Sequence, residues 1–196
     1  MTDQTPTLLL ASSSPFRRQL LDKLKLDFIH QSPDIDESRH EDESPTALVM
    51  RLAREKALAL ADQHPDTLII GSDQVAVIGD QVLGKPGDRD RTIEQLQACS
   101  GKTLHFHTGL CLINSQSGRQ QNCVETFTVY FRPLTTDQIT RYVDKEPAFD
   151  CAGGFKMEGL GISLFERLSG DDPNTLIGLP LIRLVDFLTK EGYALP

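Results

Sequence analysis

Apolar positions along this chain fall into three kinds of run, and each predicts a different element. Leu8-Leu9-Leu10-Ala11 and Leu68-Ile69-Ile70 are short and continuous, the pattern of strands buried on both faces. Thr103 to Ile113 and Cys123 to Phe131 alternate, with Phe127, Val129 and Phe131 on one side, and Asn114-Ser-Gln-Ser-Gly118 joins them as an antiparallel hairpin. Helical spacing marks Leu20, Leu21 and Leu24 after Ser14-Pro15. It recurs from Ser44-Pro45 to about Gln63 through Leu48, Val49, Leu52, Ala53, Ala59 and Leu60, and again from Pro180 through Leu181, Ile182, Leu184, Val185 and Leu188, ending at Gly192. Serine caps followed by proline suit the first two helix starts. Asp90 to Cys99 and Thr135 to Asp144 predict shorter helices. Asp27 to Pro33 and Gly161 to Phe165 predict further strands, and Gly170 to Thr175 a polar loop. There is no internal repeat and no low-complexity linker.

The most informative stretch is Gly71 to Pro86. The apolar run breaks at Gly71-Ser72, which puts Asp73 where a core strand leaves its sheet, a place where open α/β sheets bind ligands. Gly79-Asp80 between Val75 to Val77 and Val82-Leu83 suits a type II′ turn, so Lys85 returns beside Asp73. A strict ladder sets Lys85 opposite Gln74 and on the other face from Asp73, a mismatch that a bulge at Gly84 corrects. Read alone, the stretch fits a surface hairpin carrying a charge pair equally well.

Composition narrows the class. A chain of 196 residues with 39% hydrophobic content builds one sizeable core, in one domain or in two lobes sharing a sheet. A formal charge of −8 supplies no footprint for polymeric nucleic acid, though local basic residues still suit a small phosphate ligand. Cys99, Cys111, Cys123 and Cys151 are singly spaced and indicate buried reduced thiols, not zinc ligands or a redox pair. No run approaches a membrane span, and Met1 to Thr7 lacks a signal-like core, so the expected location is cytoplasmic.

Several polar groups sit where chemistry is feasible. Ser12, Ser13 and Ser14 lead from a strand into a helix start followed by Arg17 and Arg18, an arrangement of free N–H groups and guanidinium donors that suits an anion; two solvated arginines are the alternative. No Walker lysine motif and no Gly-x-Gly-x-x-Gly fingerprint accompanies it. Asp34, Asp36 and Glu37 end a strand with carboxylates that suit a hard divalent cation, unless they are simply solvated. Lys56 falls within the apolar seam of its helix, between Leu52 and Leu60, while Arg51 and Glu55 point away. It must snorkel to an edge or meet an anion in a cleft. His105 and His107 share a face but have no third ligand to join them. Gly153-Gly154 permits close approach of backbone to a ligand, or simply makes a turn.

Taken together, Ala11-Ser-x-Ser-Pro-x-Arg-Arg18, Asp36-Glu37, Ala53-x-x-Lys56-Ala57, Ser72-Asp73-Gln74, Gly84-Lys-Pro86, Cys151-Ala-Gly and Gly178-Leu-Pro180 resemble the Maf family of nucleoside triphosphate pyrophosphatases. The resemblance covers nearly the whole chain, as a single Maf-like domain over 1–196. Gln74 and Glu158 resemble the 7-methyl-GTP branch, whereas the thymidine- and uridine-triphosphate branch typically carries threonine and glutamine there. That 7-methyl-GTP branch usually has tryptophan where this chain has Phe16, which offers a smaller stacking face.

The resemblance implies a two-lobed α/β fold, with a twisted mixed sheet flanked by helices, a central nucleotide cleft and a homodimer. The implied reaction is hydrolysis of 7-methyl-GTP, and of related modified nucleotides, between the α- and β-phosphates with Mg2+ or Mn2+. It assigns Ser12, Ser14 and Arg17 to the phosphates and Lys56 and Lys85 to charge neutralisation. Glu37 and Asp73 go to the metal, Asp73 also to water activation, and Phe16, Gln74 and Glu158 to base selection. The competing class is a nucleotide-binding regulator of septum formation without turnover.

Overall fold

The continuous apolar runs pair as buried strands. Strand β1 (Thr7–Ala11) lies parallel to β2 (Ile29–Gln31), with Leu9 opposite Ile29, and parallel to β3 (Thr67–Ile78), with Leu10 opposite Ile70. These and the elements below come from a computed structural model that describes residues 6–196. The reading of the N-terminus from Met1 therefore lies, for residues 1–5, outside the described residues.

The remaining elements are α1 (Pro15–Asp22), α2 (Pro45–Ala61), β4 (Gln81–Leu83), α3 (Arg89–Cys99), β5 (Thr103–Asn114), β6 (Gln120–Phe131), α4 (Thr136–Lys145), β7 (Phe165–Ser169), α5 (Asn174–Ile177) and α6 (Leu181–Lys190). The strands hydrogen-bond in the order β2-β1-β3-β5-β6-β7, with β4 added to β3, in a seven-stranded mixed sheet. The chain divides into two compact units. One comprises Met1–Gln74, Thr108–Glu125 and Asp172–Pro196; the other comprises Val75–His107 and Thr126–Asp171.

In the first unit, strand alternation sorts the core onto two faces. Leu8, Leu10, Leu68, Ile70, Leu110 and Leu112 pack with Leu20 and Leu21 of α1 and with Leu184 and Leu188 of α6. Leu9, Ala11, Ile69, Cys111 and Ile113 pack with Ala53, Ala57 and Leu60 of α2. Each leucine so buried contributes about 1.5–3 kcal/mol. Helix α2 lies unusually close to the strands beneath it. A Cβ at Gly71 would stand 2.0 Å from the Ala53 carbonyl oxygen, and one at Gly109 would stand 2.1 Å from that of Val49.

The expected break at Gly71-Ser72 is therefore incorrect, because β3 runs unbroken through Asp73 to Ile78. Glycine marks a close helix contact there, not a strand end. Ser72 stays in the strand because its hydroxyl meets the carbonyls of Gly109 at 2.8 Å and Gly178 at 2.9 Å.

In the second unit, β3 and β4 form the expected hairpin with Ala76 opposite Leu83 and Ile78 opposite Gln81. Gly79 takes φ 56° while Asp80 keeps a negative φ, which fits the type II′ turn. Pairing stops at Leu83 without a register shift, so Gly84 makes no bulge in the ladder, and Lys85 lies exposed beyond it. His105 faces Thr128 and His107 faces Thr126 across β5 and β6, so the two strands run antiparallel. Phe131, Phe155 and Phe165 stack edge to face, and Phe106 joins through Phe155.

The strand expected from Gly161 to Phe165 is also corrected. Leu160–Leu164 is a 3₁₀ helix, and the strand follows it as β7. Gly161 packs so tightly within it that a Cβ would stand 2.2 Å from the Lys156 carbonyl oxygen. β7 escapes the pattern because Glu166 and Arg167 are exposed on a strand at the end of the sheet order.

Candidate active site

Alternation along β3 decides what each polar residue meets. Ile69 faces α2, so Gly71 and Asp73, two and four residues on, face it as well. The seam of α2 carries Lys56 to the same place. Its Nζ donates to Asp73 Oδ1 at 2.7 Å and lies 2.9 Å from Glu37 Oε1. Lys56 is 6% exposed and Asp73 8%, so the pair is largely withdrawn from water. A lysine on an apolar seam thus meets anions, and both are carboxylates of the protein itself. Asp73 Oδ2 has no hydrogen-bond partner among the described residues and is not sealed from solvent, which leaves it open to a water.

The opposite face of β3 ties down the phosphate candidates. Gly178, held at φ 118°, turns its carbonyl toward both Ser72 and Arg17, and Arg17 Nε donates to it at 2.9 Å. The half-buried Arg17 guanidinium has its pKa lowered by burial, with the nearby charges of Asp73 and Glu37 opposing that shift. It remains a cation. Ser14 caps α1 by accepting from the Arg17 N–H at 3.4 Å, and buried Ser12 accepts from the Ser14 N–H at 3.1 Å. Phe16 is half-buried beside them in sequence. Arg18, the second candidate cation, turns away to His30 at 3.0 Å. Gln74 uses its amide N–H groups within this unit, on the Thr175 carbonyl at 2.6 Å and Thr108 Oγ1 at 2.9 Å, with the Leu176 carbonyl at 3.2 Å. Its Oε1 has no partner among the described residues.

Glu37 sits in a loop without regular structure and is 59% exposed by its side chain, so something other than burial must hold it near Lys56. Arg51 does so. Its guanidinium grips Glu43 through Nε at 2.7 Å and Nη2 at 2.9 Å, reaches the Ser38 carbonyl at 2.9 Å, and meets Glu55 at 2.9 Å. The Arg51 hydrogen bonds hold the Glu43 carboxyl down to about 2. Asp36 turns inward on the loop, accepting from the Ser38 N–H at 2.9 Å and hydroxyl at 2.6 Å. Of the acidic run, only Glu37 therefore reaches the lysine. Periodicity assigns Arg51 to the solvent side of α2, and nothing in the sequence signals a bidentate partner eight residues upstream.

Asp73 and Glu37 offer hard oxygen donors that suit a divalent cation. Among the described residues no cluster of three His, Cys, Asp or Glu is placed to hold one. The donor set fits Mg2+, which takes one or two carboxylates and completes its shell with phosphate oxygens and water.

In the second unit, Glu158 is exposed in the turn at 157–159. Gly153 and Gly154 adopt φ 83° and 74° within a short 3₁₀ segment, and a Cβ on Gly153 would crowd Phe155 and Phe106, so the pair serves packing. His105 and His107 bond to threonine hydroxyls at 3.2 and 2.9 Å. All four cysteines are free thiols, and burial pushes Cys99 and Cys111 up to about 12, which leaves them inert. No helix of the described residues is long and apolar enough to cross a membrane.

The profile of the family described as Maf-like protein matches residues 7–191. A protein of Alcanivorax borkumensis named 7-methyl-GTP pyrophosphatase is 76% identical over 196 residues, covering 100% of both chains. Proteins of the same name from Pseudomonas putida and Vibrio vulnificus are 60% and 55% identical, covering 96% and 94% of this chain and 98% and 95% of their own.

Proposed function

Because the chain belongs to the Maf family, we propose that it hydrolyses 7-methyl-GTP between the α- and β-phosphates, releasing 7-methyl-GMP and pyrophosphate. The observation that carries this reading is the buried ammonium of Lys56 between Asp73 and Glu37, in a chain matched end to end by relatives named for that activity. Those names favour an enzyme over a nucleotide-binding regulator without turnover.

The residues divide the work by their geometry. Lys56 occupies Asp73 Oδ1 and leaves Oδ2 to accept a proton from water. The water oxygen bonds to phosphorus on one side of the α–β bridge, and the bridging P–O bond breaks with its electron pair leaving on the other side. Arg17 and Lys56 oppose the negative charge that gathers on the departing group, with Lys85 as a further cation. Ser12, Ser14 and the start of α1 offer hydroxyls and N–H groups to the phosphates. When bound at Glu37 and Asp73, Mg2+ or Mn2+ supplies Lewis-acid polarisation of phosphate oxygens and acidifies a bound water.

Base choice falls to Glu158, with Phe16 and Gln74. A carboxylate accepts from the guanine N1–H and amino groups together, whereas uracil or thymine presents one ring donor flanked by carbonyls. Methylation at N7 makes the base cationic, which favours a carboxylate and an aromatic face. The test is a panel of triphosphates assayed for pyrophosphate with Mg2+ or Mn2+. The expected outcome is the highest specificity constant for 7-methyl-GTP. Equal turnover of all triphosphates, or binding with no turnover, would overturn the reading.

A further inference from the structure

Glu158 lies on a segment that owes little to regular structure. Residues 157–159 form a turn and Leu160–Leu164 a 3₁₀ helix, so no strand ladder fixes the carboxylate. Two side chains from the end of α4 hold the segment instead. Buried Tyr142 accepts from the Lys156 N–H through its hydroxyl at 3.1 Å, and Glu146 Oε2 accepts from the Gly161 N–H at 3.1 Å. Tyr142 and Glu146 are four residues apart, which sets them on one side of the helix end. Their anchors bracket Glu158, two residues before it and three after. Between the anchors the Gly159 N–H closes on the Lys156 carbonyl at 3.4 Å.

The glycines show how closely this clamp fits. A Cβ at Gly159 would stand 2.0 Å from Glu146 Oε1 and 2.9 Å from Oε2. The carboxylate is the movable end of a side chain, so a methyl group there would push it off the Gly161 N–H without disturbing α4. Absence of a side chain at Gly159 is thus what lets Glu146 reach its partner.

We propose that Tyr142 and Glu146 are positioning residues for base selection, fixing the turn so that Glu158 meets the base from one place. Without the clamp the turn samples several positions, and a carboxylate that must accept from two donors at once loses its advantage first. The proposal rests on Glu158 reading the base.

The test compares specificity constants for 7-methyl-GTP and UTP in Glu146→Ala, Gly159→Ala, Glu146→Gln and Glu158→Gln. Glu146→Ala and Gly159→Ala should each lower the 7-methyl-GTP to UTP ratio by about 5- to 30-fold, since misplacement by about 1 Å costs up to about 10²-fold. That loss should appear in KM for 7-methyl-GTP more than in kcat. Glu146→Gln keeps a carbonyl acceptor for the Gly161 N–H and should return the ratio to within about threefold of the parent. The Glu146→Ala/Gly159→Ala double variant should fall no further than either single variant, because both remove the same contact. If Glu146→Ala fails to fold, Gly159→Ala and Glu146→Gln carry the test. An unchanged ratio in Gly159→Ala and Glu146→Ala, with both substrates losing equally, would overturn the clamp. A shift in Glu158→Gln alongside that result would confine the failure to the clamp, whereas no shift in Glu158→Gln would remove the base-reading role itself.

Discussion

Asp73 and Glu158 are both carboxylates, yet the molecule holds them by opposite means. Asp73 stands on a strand whose neighbours are buried on both faces, beneath a helix that two glycines let down onto the sheet, and a buried lysine fixes one of its oxygens. Glu158 stands exposed on a turn that two side chains tie to a helix end. The first arrangement moves only if the core moves. The second changes with one contact, without disturbing Asp73. With the roles proposed above, chemistry common to every triphosphate falls to the rigid frame, and the choice of base to an adjustable turn.

The largest effect is expected at Asp73. Asparagine there is nearly isosteric and still accepts from Lys56, but it cannot take a proton. Asp73→Asn should lower kcat for 7-methyl-GTP by about 10² to 10⁴ with the fold intact by circular dichroism. A rate within threefold of the parent would remove Asp73 from the mechanism.

Lys56 tests the rigidity of the same cluster. Methionine suits the seam of α2, so from the seam alone Lys56→Met ought to be tolerated. With Asp73 buried against the ammonium, removing it instead strands a carboxylate, and stability should fall by about 3–5 kcal/mol. The Lys56→Met/Asp73→Asn double variant should recover most of that loss in denaturant titrations. Equal melting temperatures for parent and Lys56→Met would mean that the pair is not coupled.

Glu158 is the counterpart on the turn. Glu158→Gln should shift the 7-methyl-GTP to UTP ratio by about one to two orders of magnitude, since hydrogen bonds to a charged group are worth about 1.5–3 kcal/mol. Its melting temperature should match the parent's, unlike that of Lys56→Met. A loss shared equally by both substrates would place Glu158 in the fold or at the metal.

The smallest effect belongs to Arg51, which holds the Glu37 loop. Glu43 is depressed from its ordinary 4.5 to about 2, so its pairing contributes stability above about pH 4.5 that is lost as pH falls toward 2. Arg51→Met removes that contribution. Its melting temperature should lie below the parent's at pH 7 and converge with it near pH 2. A constant gap across that range would assign the effect of Arg51 to packing.

What the sequence makes legible follows the same division. Lys56 is found by periodicity because a charge within a leucine seam is a local signal. Strand β1, the opening residues of β3 and the helices α1, α2 and α6 follow from run length and caps. Asp73 is singled out for the wrong structural reason: Gly71-Ser72 looks like a strand end only while the helix resting on it is unknown. Arg51 and Glu146 are invisible because their partners lie eight and fifteen residues away, Glu43 in an irregular loop and Gly161 in a short 3₁₀ helix, with no period linking them. The 3₁₀ helix at Leu160–Leu164 imitates a strand because its few apolar residues alternate by chance. Core-directed residues announce themselves by spacing, and residues that hold loops do not.

If the Asp73 cluster directs water to the α–β anhydride of 7-methyl-GTP, the products report it. The decisive measurement is the product balance when the protein is incubated with 7-methyl-GTP and Mg2+ and nucleotide and phosphate products are quantified together. Equal amounts of 7-methyl-GMP and pyrophosphate should form, with no early orthophosphate. Release of 7-methyl-GDP with orthophosphate, or recovery of the triphosphate intact, would contradict it.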